Sequence, residues 1–407
     1  MRSPKISPLS AAQSAWALWL GLLFVIASWI LIGNTHSVTP AYHEAAQHWM
    51  IGTDLYLQTG RGFLYLPQAA LLYVPFSLLP IALGEICWRV LTIGLFSFGT
   101  WKFCRLFERE ATSRLFLPAT LLAIPLCASG ARNGQATLVI AGLMMLATCE
   151  LARHRWNKAT ALLCLGFAFK PLTLVLMLLA GGIYRPMSWR LVLGLALVLA
   201  VPFLTQRPEF VADQYLDCVE MLRSAAHLGL ERPWAHFFGM LLAAGFDVPE
   251  ALQTLVRVGF AFGTLFVARR AVNQLSPARG AAYVYSLAGC YLMLFNPRTE
   301  NNTYAMIAPV IGIVCAEAIL IRRNYAMASL LAIMALGIVG SYEFGRRLLP
   351  ATHPVWLAPL MCLAFSVILI VRVILETRRN STPAPSPGPE NAGSPEVTPL
   401  RYGPVSG

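Results

Sequence analysis

The chain has 407 residues, of which 57% are hydrophobic and only 12% charged, with a mean hydropathy of +0.62; soluble domains carry about 25% charged residues. A soluble helical protein would need amphipathic stripes, and the apolar runs here are apolar all round. The formal net charge of +12 would raise nucleic acid as a partner for a soluble chain. Here Lys and Arg sit at the ends of apolar runs, where they set topology and meet anionic lipid, and no nucleic-acid motif is present.

Taken in order, residues 1–15 are polar, with Arg2 and Lys5, and are expected in the cytoplasm. The first span is predicted over 16–32. A cleaved signal peptide is disfavoured because the apolar core is long and no small-x-small cleavage site follows. An external loop covers 33–61, with Tyr42, His43, Glu44, His48, Trp49, Asp54, Tyr56 and Arg61, and Tyr65 lies just beyond. Acids and imidazoles beside aromatic platforms suit a sugar-handling site at a membrane surface. Residues 64–79 contain Pro67 and Pro75 and run into Pro80, which predicts an interfacial or re-entrant piece. The next crossing, 81–103, carries Glu85 and Arg89 four residues apart on one face, where they can pair; a structural pair and a functional role both stand open.

A basic joint, from Lys102 to Arg114, precedes a run outward over 115–129. The polar joint GARNGQATL follows, with Arg132, Asn133 and Gln135, and 137–151 returns to Arg153, Arg155 and Lys158. Residues 159–183 are apolar apart from Lys170-Pro171 at the centre. Proline removes a backbone donor and kinks the helix. A mid-membrane lysine costs several kcal/mol and should face protein, water or an anion. Cations on both flanks favour two half-helices that dip in and return, with a single span as the alternative.

Residues 191–204 exit. A second external region spans 205–250, with Asp213, Asp217, Glu220, Arg223, His227, Arg232, Trp234 and His236, and with an apolar piece over 236–246. Further crossings are predicted over 251–268, 281–295, 305–321, 326–341 and 355–375, with the compact joint NPRTENNTY at 296–304. The expectation is an all-α polytopic membrane protein of about ten crossings plus re-entrant pieces. Its membrane domain covers 16–375, both termini are cytoplasmic, and a Pro- and Ser-rich disordered tail fills 376–407. No internal repeat favours an inverted-repeat transporter. The nine cysteines are scattered without a CxxC and read as small buried apolar residues.

No HExxH, P-loop, GxSxG or Gly-rich dinucleotide motif is present, which argues against a metalloprotease, an ATPase and a serine hydrolase. No ligand spacing asks for a metal, and no cofactor is called for. The external joints instead combine carboxylates (Glu44, Asp54, Glu300) with cations (Arg61, Arg132, Arg298), and Lys170 can reach them from below. Sugar transfer from a lipid-linked phosphate needs a base for the acceptor hydroxyl and cations for the departing phosphate. Glu44 or Asp54 fits the first role. Lys170, Arg298 and Arg132 fit the second.

NGQATL, then an apolar helix, a basic joint, a second apolar helix and FKPL, resembles glycosyltransferase family 87. YHEAAQHWMIGTDLY followed by FLYLPQAALLYVPFSLLP resembles that family's first-loop pattern, and PRTENNTY near Arg298 adds to it. The resemblance implies a GT-C-like bundle and an external active site. It also implies a polyprenyl-phosphate donor, typically of mannose, a lipid or glycan acceptor, and inversion. The family often has an aspartate before the loop tyrosine. Here that segment is HSVTPA, without an acid, so the base role passes to Glu44, with Asp54 as runner-up. Tyr42, His43, Tyr65, Asn133, Gln135, Glu300 and Asn301 are the expected substrate contacts. Their blander readings are interface anchoring for the tyrosines, helix-end capping for Asn133 and Gln135, and loop bonding in the 298–301 joint. The rival class is a transporter or lipid flippase with Lys170 on its path. Transporters place polar groups near the midplane with access from both sides, whereas the cytoplasmic joints here are short and simply basic.

Overall fold

Among the described residues the chain is helical throughout, with no strand. The computed structural model describes residues 8–33, 36–56, 63–226, 234–344 and 353–381. The helices in order are α1 (Pro8–Leu31), α2 (Thr39–Ile51), α3 (Pro67–Ser77), α4 (Ile81–Phe107), α5 (Thr112–Asn133), α6 (Thr137–Leu151), α7 (Trp156–Phe169) and α8 (Leu174–Ile183). They continue as α9 (Arg185–Ala200), α10 (Pro208–Ala226), α11 (Phe237–Ala243), α12 (Glu250–Gln274), α13 (Pro277–Phe295), α14 (Ala308–Leu320), α15 (Tyr325–Val339) and α16 (His353–Ser381). Seven of them (α1, α4, α5, α9, α12, α15 and α16) have the length and composition to cross a membrane, and α6, α8 and α14 are shorter and apolar. This is a multi-pass membrane protein.

The bundle is densest where α4, α5, α6, α13 and α14 meet. Residues on α6, α13 and α14 are buried on almost every side, whereas α12 buries only Ala268 and Ala271 fully and leaves much of its surface half-buried or exposed. Without a hydrophobic drive between helices in lipid, close backbone packing holds them together. Gly142 of α6 lies against the Leu95 backbone of α4, and Gly312 of α14 lies against the Ala119 backbone of α5. A side chain at either glycine would push the pair apart.

The stretch 156–183 folds as the half-helix pair that its charges favour. Pro171 leaves Lys170 extended (φ −156°, ψ 142°), as a residue before proline is driven to be. α7 therefore ends at Phe169 and a short 3-10 turn leads into α8. The rings of Trp156 and Tyr184, at the outer ends of the two half-helices, lie 5.6 Å apart. The pair is a hairpin whose feet share one end of the bundle, and its tip carries Lys170 inward.

Three expectations shift. The first external loop is not irregular: Pro40 starts α2 in its first turn, and Gly52, at φ 72°, ends it. Pro75 does not break α3 but sits inside it, and Pro67 opens that helix, where a missing N–H costs nothing. The tail does not begin at residue 376, because α16 runs on to Ser381. Glu376 is held there by Arg279 at 2.9 Å and Arg322 at 2.6 Å. Those ion pairs belong to a network on α13, α14 and α16. Glu317 of α14 meets Arg279 at 3.0 Å, Arg322 at 3.1 Å and Arg372 at 2.7 Å. Residues 1–7 and 382–407 and the expected loop residues Arg61, His227 and Arg232 lie outside the described residues.

Candidate active site

A cavity of about 780 Å³ opens at the end of the bundle opposite the feet of the hairpin. Separate pieces of chain build it. α2 contributes Tyr42 and Glu44, the segment before α3 contributes Tyr65, the joint between α5 and α6 contributes Gln135, and the hairpin tip contributes Lys170. The stretch after α13 adds Arg298 and Glu300. One wall is apolar, made by Leu172, Leu174 and Val175 of the hairpin and by Tyr291, Leu292 and Phe295 of α13.

The polar groups are linked to one another. Gln135 Nε2 donates to Glu300 Oε2 at 3.3 Å. Lys170 is flanked by the opposing charges of Glu300 and Arg298, and its Nζ lies 5.4 Å from the centre of the Tyr65 ring. The hydroxyls of Tyr42 and Tyr65 are 2.5 Å apart. Loss of water around Tyr65 pushes its phenol up to about 12, and the Glu300 charge acts the same way, against the Tyr42 hydrogen bond and Arg298. Burial, first of all, raises Tyr42 as well. Both tyrosines are thus neutral at ordinary pH. They close the cavity floor against Tyr73 and Trp88, whose rings stand edge-on to Tyr42 at 5.5 and 5.9 Å.

The floor is fixed by a brace beneath it. Arg89 is fully buried. It lies 3.7 Å from Glu85 and donates through Nη2 to Ser37 Oγ and to the Arg132 carbonyl, both at 2.9 Å. Glu85 in turn accepts from Thr39 Oγ1 at 2.6 Å. Trp88 Nε1 donates to the Gly134 carbonyl at 2.7 Å, and Val38 N donates to the Asn133 carbonyl at 2.9 Å. Together these bonds tie the start of α2, the α5–α6 joint and the start of α4 to one another. The pair foreseen along one helix face is therefore structural, and it sets the position of Gln135.

Residues 63–297, more than half of the chain, match the family described as glycosyltransferase family 87. The chain belongs to that family. No curated protein matches it. Among solved structures it is similar to the apo crystal structure of ArnT from Cupriavidus metallidurans, at 15% identity and a TM-score of 0.43, over 90% of this chain and 78% of that one.

In this family 87 chain the cavity gathers Glu44, Lys170, Arg298, Tyr42, Tyr65, Gln135 and Glu300, and leaves the other expected site residues outside its walls. Asp54 turns back on its own loop, where Oδ1 accepts from Tyr56 N at 2.9 Å. His43 bonds Gln47 along α2 at 2.9 Å. Asn301 donates to Ser341 Oγ at 2.8 Å and to the Pro354 carbonyl at 2.9 Å, which ties the joint to α16 and the end of α15. Arg132 and Asn133 end α5 and offer their carbonyls to the brace. Among the described residues no group of three or more His, Cys, Asp or Glu could hold a metal ion.

Two neighbours of the site, Trp234 and Ala235, lie outside the residues expected to form it. The Arg298 guanidinium lies 4.9 Å from the ring of Trp234, a cation–π contact. Ala235 N donates to the Thr299 carbonyl, and Tyr304 donates to the Ala235 carbonyl, both at 2.9 Å. The segment before α11 thus clamps the 296–303 joint. Only the clustering of Trp, His and Arg in the second external region hinted at it.

Proposed function

We propose that this family 87 glycosyltransferase moves a hexose, mannose first among candidates, from a polyprenyl phosphate to a lipid or glycan acceptor. The reaction takes place on the external face of the plasma membrane, with both termini in the cytoplasm. The observation that carries this is one cavity holding two carboxylates, Glu44 and Glu300, against two cations, Lys170 and Arg298, with an apolar wall along α8 and α13. The orientation rests on Arg153, Arg155 and Lys158, which gather beside the hairpin feet at the opposite end of the bundle.

Each part has a role. The polyprenyl chain lies against Leu174, Val175 and Phe295, and its phosphate meets Lys170 and Arg298. Glu44 takes the proton of the acceptor hydroxyl. That oxygen bonds to the anomeric carbon as the bond from carbon to phosphate oxygen breaks, with inversion, and the phosphate leaves with the electron pair. Lys170 and Arg298 neutralise the charge that develops on it. Glu300, already bonded to Gln135 and facing Lys170, holds the ammonium in place. Tyr42 and Tyr65 supply neutral hydroxyls and ring faces to the sugar.

Membranes containing the protein, incubated with radiolabelled polyprenyl-phosphate mannose, are expected to yield a labelled glycolipid or glycan absent from control membranes. If no polyprenyl-phosphate hexose donates label to any product, the assignment is wrong.

A further inference from the structure

A second cavity, of about 510 Å³, lies outside the site between α3, α7 and α9. It is a groove on the lipid side of the hairpin. Its floor is Thr160, Cys164 and Ala168 of α7, with Leu193, Gly194 and Leu197 of α9. The two helices approach closely there: a Cβ on Gly194 would lie 2.5 Å from Cys164 Sγ. From Trp189 to Val201, both on its wall, the groove runs about 18 Å along α9 at 1.5 Å per residue. That is a little more than one leaflet of a hydrocarbon layer about 30 Å thick.

The two ends differ in charge. At the inner end Gln68 donates through Nε2 to the Val198 carbonyl at 3.1 Å and to the Tyr215 hydroxyl, while its buried Oε1 accepts no hydrogen bond. At the other end stands Arg190, near the hairpin feet. Its Nε donates to Asn157 Oδ1 at 2.8 Å and its Nη1 to the Pro186 carbonyl at 2.6 Å. The guanidinium lies 4.4 Å from the centre of the Trp189 ring. Two of its five N–H donors are thus engaged, and they pin the group at the mouth of an apolar groove. Lys158 and Arg185 are exposed close by in the sequence. The one acid of this joint, Glu150, is shared between Arg153 and Arg155.

We propose that the groove binds one acyl chain of an anionic diacyl phospholipid from the surrounding bilayer, with the lipid phosphate on Arg190 and the chain running toward Gln68. The charge at one end, the apolar floor and the leaflet-scale length each match that ligand. The groove lies along α7, whereas the sugar-transfer cavity is lined by α8, so the two flank the hairpin from different sides. A bound chain therefore braces the element that carries Lys170. The binding itself does not depend on the proposed sugar donor.

The test uses the full-length protein in detergent, offered phosphatidylglycerol and phosphatidylcholine in equal amounts and read by native mass spectrometry. Phosphatidylglycerol should be retained in preference by about fivefold or more. Arg190→Gln should remove the preference, Arg190→Lys should keep most of it, and Ala161→Phe, at an exposed groove position, should lower retention of both lipids. Equal retention by the wild type, or a preference unchanged in Arg190→Gln, overturns the proposal. So does displacement of the phospholipid by an equal amount of polyprenyl phosphate, or a dimer mass that Ala161→Phe abolishes. The first of those results would make the donor the occupant, and the second a second copy of the chain.

Discussion

The guanidinium of Arg89 occupies the space that a side chain on Gly134 would fill. Gly134 sits at φ 69°, in the left-handed region, so two independent reasons keep this position a glycine. Gly134→Ala is expected to strain the backbone, at about 1 kcal/mol or more, and also to displace Arg89 from the Arg132 carbonyl. The Tm in detergent should fall, and transfer should fall further than stability alone accounts for, because Gln135 moves with the turn. A wild-type Tm and wild-type transfer would show that the brace does not set the site.

The two cavity carboxylates should separate kinetically. Glu44→Gln is expected to lower kcat by about 10²–10⁴-fold, as loss of a general base does, with the donor KM little changed. Glu300→Gln should instead raise the donor KM, since it loosens Lys170 and Gln135. Lys170→Met should lower kcat/KM by about 10²-fold or more. If Glu300→Gln abolishes kcat while Glu44→Gln does not, the base is Glu300.

Stability should depend on pH through His236. Its Nδ1 accepts from Gly239 N at 3.2 Å and starts α11. Burial, together with the charge of Arg257, pushes its pKa from 6.5 down to about 4. The unfolded chain takes up the proton first, so stability is full above about 6.5 and declines as pH falls from there toward 4. At 1.36 kcal/mol per unit the loss is about 3 kcal/mol. His236→Asn keeps a capping acceptor without the titration, and should flatten the Tm profile between pH 4 and 6.5. The clamp on the 296–303 joint starts at this segment, so the wild-type cavity should loosen over the same window.

The ion network at the far end predicts the opposite split. Glu317 faces three arginines, and Glu317→Gln leaves them with Glu376 alone. Removing one partner from a buried ionic cluster costs about 3–5 kcal/mol. Thermal unfolding should show that loss, while the rate of transfer at a permissive temperature stays near wild type because the cavity is at the other end of the bundle.

The hairpin was legible in the sequence because Lys170 and Pro171 impose it locally: a proline that breaks the ladder, a charge that needs a partner, and cations on both flanks. The cavity was legible as a set of polar islands, and Glu44, Lys170, Arg298 and Glu300 do meet. Which island residues face inward was not. Asp54 and His43 belong to the same polar stretch as Glu44, but local hydrogen bonds turn them aside, to Gln47 one turn along α2 for His43 and to Tyr56 N in the loop after α2 for Asp54. That helix itself gave little signal, since TPAYHEAAQHWMI mixes polar and aromatic residues without an apolar stripe. The Trp234–Arg298 contact joins residues far apart in sequence, and no local pattern encodes it.

Because the feet of the α7–α8 hairpin stand together, these residues add no net passage through the bilayer. Were the same stretch to thread straight through, every later helix would be inverted. Arg298 and Glu300 would then emerge in a different compartment from Glu44. One proline thus fixes the parity of the whole second half of the chain.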